Sequence, residues 1–312
     1  MTTPTQETTN DTLVKDYRSN SLWRLTLRRI FHQRSAIVGM AILSVLILVA
    51  IFAPVIAPYD PEQVLIGVED VKKREDPCIH LLGCPAEKSQ HLMGIDGNVR
   101  DEFSRVVYGT RVSLFVGITT VSFAVLIGTT LGAIAGYVGG QVDNIIMRVL
   151  DVLMAFPSLL LSITIVSVLG KGLENALLAI AIVSIPIYAR IVRASILSVK
   201  EQQYVSASRA LGGSHLHILL GRILPNAIPP LIVQSTLGIG TAILDAAALS
   251  FLGLGAQPPT PEWGTMLGTE RNQVFTAPHL VFFPGIAIMI TVLAFNLLGD
   301  GLRDAIDPRL NQ

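Results

Sequence analysis

An all-α, polytopic membrane protein with six transmembrane helices is the fold class this sequence predicts, and three observations carry it. Of its 312 residues, 51% are hydrophobic and only 15% charged, with a mean hydropathy of +0.57; soluble domains carry about 25% charged residues. The charges are clustered, leaving uncharged runs of about 20 residues, the length a helix needs to cross a hydrocarbon core of about 30 Å. Arg and Lys are distributed unevenly between alternate connections.

Residues 1–34 are polar and then basic, with Lys15, Arg18, Arg24, Arg28, Arg29 and Arg34. Trp23, Leu25, Leu27, Ile30 and Phe31 lie among the arginines. The segment reads equally as a helix on the membrane surface and as a basic flank that fixes orientation. The first uncharged run, 36–57, is 22 residues long. It exceeds a signal-peptide core and has no small-residue cleavage site, so it reads as an uncleaved anchor. Residues 59–111 then form a polar insert, small enough to fold over the mouth of a membrane domain without a core of its own.

The second span, 112–135, carries Gly128, Gly132 and Gly136 at every fourth position. This glycine stripe admits a close helix neighbour, and packing within the chain is the simpler use for it than a contact between chains. The third span, 149–169, is broken by Pro157 and carries Asp151, which one helical turn sets beside Arg148 as an ion pair. The fourth, 176–189, is short but continues as an amphipathic stretch through Arg190 and Arg193, bent at Pro186. The fifth, 228–255, contains Asp245. A proline-rich connector around Trp263 follows; it serves either to touch an external protein or as a rigid turn over the pore. The sixth span, 280–299, contains Asn296. Asp300, Arg303, Asp304 and Asp307 then form a charged exit, read as a salt-bridged turn.

Six spans put both termini on one side. That side holds 14 of the 23 Lys and Arg residues, which predicts that it is cytoplasmic, although the long insert holds seven of the others. No internal repeat is visible, so the chain reads as half of a pore.

Between the fourth and fifth spans lies a short, mildly polar stretch. Residues 201–211 have a helix-compatible composition, Gly212-Gly213 form a stop and Ser214 is a candidate cap. Tyr204, Ala207 and Leu211 share one helix face, a patch able to enter a groove on a partner, while Ser206, Ala207 and Ser208 are small enough for close approach. Alone, this pattern also fits a plain surface helix.

The stretch Tyr204-Val-Ser-Ala-Ser-Arg-Ala-Leu-Gly-Gly213, with Leu224-Pro225 later, resembles the cytoplasmic coupling loop of ABC-importer permeases. Ser206-Ala207-Ser208 stands where that family usually has Glu-Ala-Ala. Asp143-Asn-Ile-Ile-Met-Arg148 and Ala155-Phe-Pro157 resemble the start of the third span of peptide-transporter permeases. Gly94-Ile-Asp96, Arg100-Asp101 and Ser104-Arg105 resemble the approach to their second span, with Val99 where a glycine is usual. Ala256-Gln-Pro-Pro-Thr-Pro-Glu-Trp-Gly-Thr-Met-Leu267 and Ala294-Phe-Asn-Leu-Leu-Gly-Asp-Gly-Leu-Arg-Asp-Ala-Ile-Asp-Pro308 are closer still. Together they resemble the C-type permease subunit of the dipeptide, oligopeptide and nickel importers.

The resemblance implies a type I importer architecture, a bacterial cytoplasmic (inner) membrane location and a heterodimeric pore with a B-type permease. It also implies two cytoplasmic ATPase subunits, an extracytoplasmic peptide-binding protein and the surrounding lipid as partners, and no nucleic acid. The ATPase-coupling residues would be Tyr204, Ser206, Ala207, Ser208, Leu211 and Gly212. The implied substrate is a dipeptide or oligopeptide, with glutathione or nickel as alternatives. ATP and Mg belong to the partner subunits: the chain has no G-x-x-x-x-G-K-[ST] loop, and Gly170-Lys171-Gly172 lacks the hydroxyl residue. No catalytic residue and no cofactor are predicted for this chain.

Intramembrane polar groups are candidates for function. Asp245 and Asn296 either line a translocation pathway or hydrogen-bond to a neighbouring helix, with the second favoured. Cys78 and Cys84 share the insert; outside the cytoplasm a disulfide is favoured over a metal site with His80 and His91, whose spacing matches no standard ligand set. The resulting domain plan is a cytoplasmic segment 1–35, an anchor 36–58, an extracytoplasmic insert 59–111, a core permease domain 112–303 containing the coupling loop 201–213, and a cytoplasmic tail 304–312. A self-sufficient secondary transporter is the rival, but it calls for repeats or a charged relay through the spans. A membrane enzyme calls for converging His, Ser and carboxylate residues at one level. The chain shows neither pattern.

Overall fold

The computed structural model describes residues 30–306. Most of the basic N-terminal segment, including Trp23, Leu25 and Leu27, and the tail from Asp307 lie outside the described residues. Eleven α-helices follow one another: α1 (Arg34–Ile56), α2 (Glu102–Val138), α3 (Gly140–Met154), α4 (Ser158–Leu169), α5 (Leu173–Val199), α6 (Gln203–Ala210), α7 (His215–Ile218), α8 (Leu224–Ala227), α9 (Pro229–Phe251), α10 (Trp263–Glu270) and α11 (His279–Ile306). The described residues contain no β-strand, only three isolated bridges within the insert and at its junction with α2.

Five of these helices, α1, α2, α5, α9 and α11, are long and apolar enough to cross a membrane. α3 and α4 together are apolar enough to count as a sixth span broken by a bend, and here the structure corrects the expected span 149–169. The pair turns through 90° at Ala155–Pro157, more than a kink, because Pro157 offers no amide to the preceding turn and holds its own backbone extended. Beyond the bend, Gly172 N donates to Leu254 O at 3.1 Å, at the far end of α9. The pair therefore reaches the side where the insert lies. Chain order then places α6, α7 and α8 on the opposite side.

Two close seams hold the bundle. Gly128, Gly132 and Gly136 run along α5. A Cβ on Gly132 would stand 2.3 Å from Ala189 O, and one on Gly128 2.7 Å from Tyr188 Cβ. The stripe is thus spent inside the chain. A second seam joins α1 to α11, where Gly39 faces the backbone of Leu297 and Leu298 and Gly301 faces Ala36. The main apolar core lies between α2, α5 and the coupling segment, with Ile180, Tyr188, Ala189, Val192, Ile196, Val205, Ile218 and Ile223 buried in it.

The insert departs from the expectation in having a core. Leu65, Ile95 and Val99 are buried together beside Tyr59 and Val71. Val99 occupies a left-handed backbone conformation, φ +58°, which costs a β-branched residue about 1–2 kcal/mol. Burying its side chain returns about 1.5–3 kcal/mol, so valine holds a position whose backbone alone would favour glycine. Cys78 and Cys84 are joined by a disulfide. Asp101 caps α2, accepting from Ser104 N at 2.7 Å.

The insert is bolted to the bundle through polar contacts centred on the buried Glu270 and Arg105. Arg74 Nε donates to Glu270 Oε2 at 2.8 Å, and Gly97 N donates to Glu270 Oε1 at 3.1 Å. Arg105 Nη1 reaches Pro61 O at 2.8 Å and Pro259 O at 3.1 Å. Trp263 is 1% exposed and donates from Nε1 to Val106 O at 3.0 Å. The indole at the centre of the proline-rich connector thus closes the bundle from within, and is not itself open to an external protein.

His91 is a further tie. Its ring is buried, stacked on Tyr59 at 5.1 Å, with Nδ1 2.8 Å from Asp101 Oδ1 and Nε2 3.1 Å from Glu69 Oε2. With acceptors on both nitrogens the ring is the doubly protonated donor, and it is not free to hold a metal. Burial pulls its pKa down, but Asp101 and then Glu69 outweigh burial and hold it above the ordinary 6.5. A raised folded-state pKa gives stability that is complete below 6.5 and lost as pH rises through the raised value. Hydrogen-exchange protection of the Cys78 and His91 amides, which pair with each other's carbonyls, is therefore expected to fall as the pH is taken from 6 to 8.5. His91→Gln should flatten that dependence; an unchanged profile in the variant would assign it elsewhere.

Candidate functional site

The loop between α5 and α9 has one anchored side and one bare side. Its anchored side is apolar: Val205, Ile218, Ile223 and Ala227 are all buried in the main core. On the bare side Tyr204 is 43% and Leu211 89% exposed, with Ala207, Leu216 and Leu220 open beside them. The three residues expected to share a face thus form an uncovered, largely apolar patch.

The sequence builds this shape locally. Gly212 has φ +79°, a conformation glycine adopts without steric cost. The turn closes by Gly213 N donating to Ser208 O at 3.0 Å and Gly212 N to Arg209 O at 2.9 Å, a Schellman stop. Ser208 Oγ donates to Tyr204 O at 3.0 Å, and Ser214 Oγ accepts from His217 N at 3.4 Å. Ser206 is exposed. A single π turn, Leu219–Ile223, then leads into α8.

The loop is tied to two spans. Only Lys200, Glu201 and Gln202 separate α5 from α6. Lys200 Nζ donates to Gly136 O at 3.2 Å, and Tyr137 Oη shares a hydrogen bond of 2.9 Å with His215 Nδ1, so the end of α2 is held as well. On the same side α3 grips α5: Arg193 donates from Nη2 to Asp143 Oδ2 at 2.6 Å, and Arg190 pairs with Asp151. This corrects the expected Asp151–Arg148 pair. The 90° turn lays α3 against the polar end of α5, so the carboxylate finds a partner on another helix. The charged exit of the last span is also different from expectation: among the described residues no ion pair joins Asp300, Arg303 and Asp304, all of which are exposed or half-exposed on α11.

Asp245 and Asn296 sit apart from the loop. Asp245, on α9, is half-buried. Asn296, on α11, is exposed, with Oδ1 3.6 Å from where a Cβ on Gly240 would stand. No hydrogen bond joins either side chain to another helix among the described residues, so the interhelical role favoured from the sequence is not the one seen. Missed by sequence reasoning were Glu270 and Arg74, whose partners lie 196 residues apart. The clustering of charged residues at 94–105 is the only signal that could have flagged that corner.

Comparison with known proteins gives concordant matches. The profile described as binding-protein-dependent transport system inner membrane component matches residues 128–312, and that of the N-terminal TM domain of oligopeptide transport permease C matches residues 21–74. The dipeptide transport system permease protein of Alkalihalophilus pseudofirmus is 47% identical over 94% of this chain and 92% of its own length. The glutathione transport system permease protein of Pectobacterium atrosepticum is 44% identical over 96% and 95%. A solved chain of the inward-facing MetNI methionine ABC transporter superposes with a TM-score of 0.55 at 18% identity, covering 65% of this chain and 97% of that one.

Proposed function

Because the chain belongs to the family of binding-protein-dependent transport system inner membrane components, we propose that it forms half of an ATP-driven import pathway for dipeptides or short oligopeptides. A second, B-type permease supplies the other half. Two cytoplasmic ATPase subunits dock on the α6 face, and an extracytoplasmic binding protein delivers the substrate to the insert side. The chain itself hydrolyses nothing and holds no cofactor; ATP and Mg are used by the partner subunits. In this arrangement the coupling side is cytoplasmic, as the Arg and Lys asymmetry suggests, and the membrane is the bacterial inner one.

The observation that carries the reading is the bare patch of Tyr204, Ala207 and Leu211 on a loop whose other side is locked into the core. A helix that is exposed where a partner would sit and rigid where it meets two spans transmits displacement rather than absorbing it. ATP-driven approach of the ATPases would push α6, and α5 with α2 would follow as one body along the glycine seam. That is a two-state element biased from one side by nucleotide and from the other by loaded binding protein. A second substrate class, glutathione, is supported by the relative at 44% identity.

The test is purification of the tagged chain from mild detergent with assay of associated ATPase activity. Co-purification of a second permease and of nucleotide-binding subunits, with uptake of a dipeptide in proteoliposomes supplied with binding protein and ATP, is expected. A chain that purifies alone and transports without ATP would overturn the proposal.

A further inference from the structure

One face of α9 is polar and left uncovered by the rest of the chain. Gln234, Thr241 and Asp245 stand at i, i+7 and i+11, on one side of the helix. Gln234 and Asp245 are half-exposed and Thr241 is exposed, with Leu244 beside them 46% exposed. Ile243, Ala246 and Ala247 on the opposite side, and Ala242 and Leu249 on one flank, are all buried against α2, α5, α10 and α11. Thr241 satisfies its hydroxyl on Leu237 O at 3.4 Å. Among the described residues Gln234 and Asp245 have no side-chain hydrogen bond, and Asp245 has no ion pair.

Such a face cannot point into lipid, where a carboxylate and an amide would each be stripped of water with nothing in return. α9 carries no Lys, Arg or His, so the carboxylate has no base within its own span. Asp245 lies six residues before the insert-side end of α9, about 9 Å along the axis. It is the first fixed charge on this face below the mouth through which substrate enters. We infer that this face lines the translocation path and that Asp245 is the counter-ion for the ammonium group of the passing substrate, with Thr241 and Gln234 as the polar wall beyond it. This rests on the importer reading above and deepens it: a dipeptide and glutathione differ in length and charge, yet both present an ammonium group. One carboxylate near the mouth serves either.

The test uses the assembled complex. Uptake of radiolabelled dialanine and of glutathione is measured in proteoliposomes for wild type, Asp245→Asn and Asp245→Glu. Asp245→Asn is expected to lower kcat/KM at least about tenfold while the partner permease still co-purifies, and Asp245→Glu to recover most of the loss. Independently of transport, Leu244→Cys, made with the Cys78–Cys84 disulfide intact, should react faster with a cationic than with an anionic thiosulfonate. That preference should vanish when Asp245→Asn is added. Unaltered uptake by Asp245→Asn, loss of the partner permease from that variant, or equal labelling by the two reagents would each overturn the assignment; the second would make Asp245 an inter-subunit ion-pair member instead. If wild type takes up neither probe with ATP, it is the peptide-importer reading that fails, and the labelling comparison still decides the face.

Discussion

Gly132→Leu is expected to prevent the chain from accumulating as a folded membrane protein. The space for a side chain at position 132 does not exist: a Cβ alone would come within 2.3 Å of Ala189 O and 3.0 Å of Val192 Cβ, and a carbonyl oxygen in a helix cannot swing aside as the tip of a long side chain can. Even Gly132→Ala must push α2 from α5, for a cost of about 1–3 kcal/mol. A leucine adds three more carbons at the same place and unseats the whole glycine seam. Gly285→Ala on α11 is the matched control, because nothing lies within 4 Å of that position. Fluorescence-detected size exclusion after heating in detergent measures the outcome. A Gly132→Leu chain with the wild-type midpoint would mean that α2 and α5 do not meet as described.

Leu211→Asp is expected to abolish uptake while leaving the bundle intact. Leu211 is 89% exposed and supports nothing in its own chain, so a charge there does not threaten the fold. At the centre of an apolar docking patch it would cost on the order of 2 kcal/mol or more of partner binding, about thirtyfold in affinity. Gly212→Asp should act with it, for a different reason. The left-handed backbone at 212 costs a non-glycine residue about 1–2 kcal/mol, and relaxing it would re-aim the end of α6. Asparagine adopts that conformation more readily, so Gly212→Asn should fall between. The measurements are ATPase subunits retained per permease and ATP-driven uptake; normal uptake by both Leu211→Asp and Gly212→Asp would remove α6 as the coupling element.

The loop between α5 and α9 was legible because its information is local. A glycine stop, small residues and an apolar i, i+3, i+7 face lie within a dozen positions, and the structure realises them with hydrogen bonds three to five residues apart. The spans were legible for the same reason, each being set by its own composition against the thickness of a bilayer. What the sequence did not yield depends on pairs. Asp151 has Arg148 one turn away, yet the backbone turn at Pro157 decides that Arg190 reaches it. Trp263 sits in a run of prolines and polar residues that reads as exposed, and the open wall of α2 at Gly109, where a Cβ would stand 2.7 Å from the indole, explains why it is swallowed. Val99 was noted as the wrong residue for its motif; its left-handed backbone and its place between Leu65 and Ile95 explain both why glycine is the usual choice and why valine survives.

The Arg74–Glu270 contact also sets a timetable. The two residues are separated by 196 positions, and at about 5–20 residues per second a ribosome needs roughly 10–40 s to travel between them. Throughout that interval Arg74 and Gly97 wait for a carboxylate still to be made. The disulfide, the Leu65–Ile95–Val99 cluster and the ties of His91 to Asp101 and Glu69 draw only on residues already made. The insert is therefore a half-finished clasp during synthesis, closed when α10 arrives.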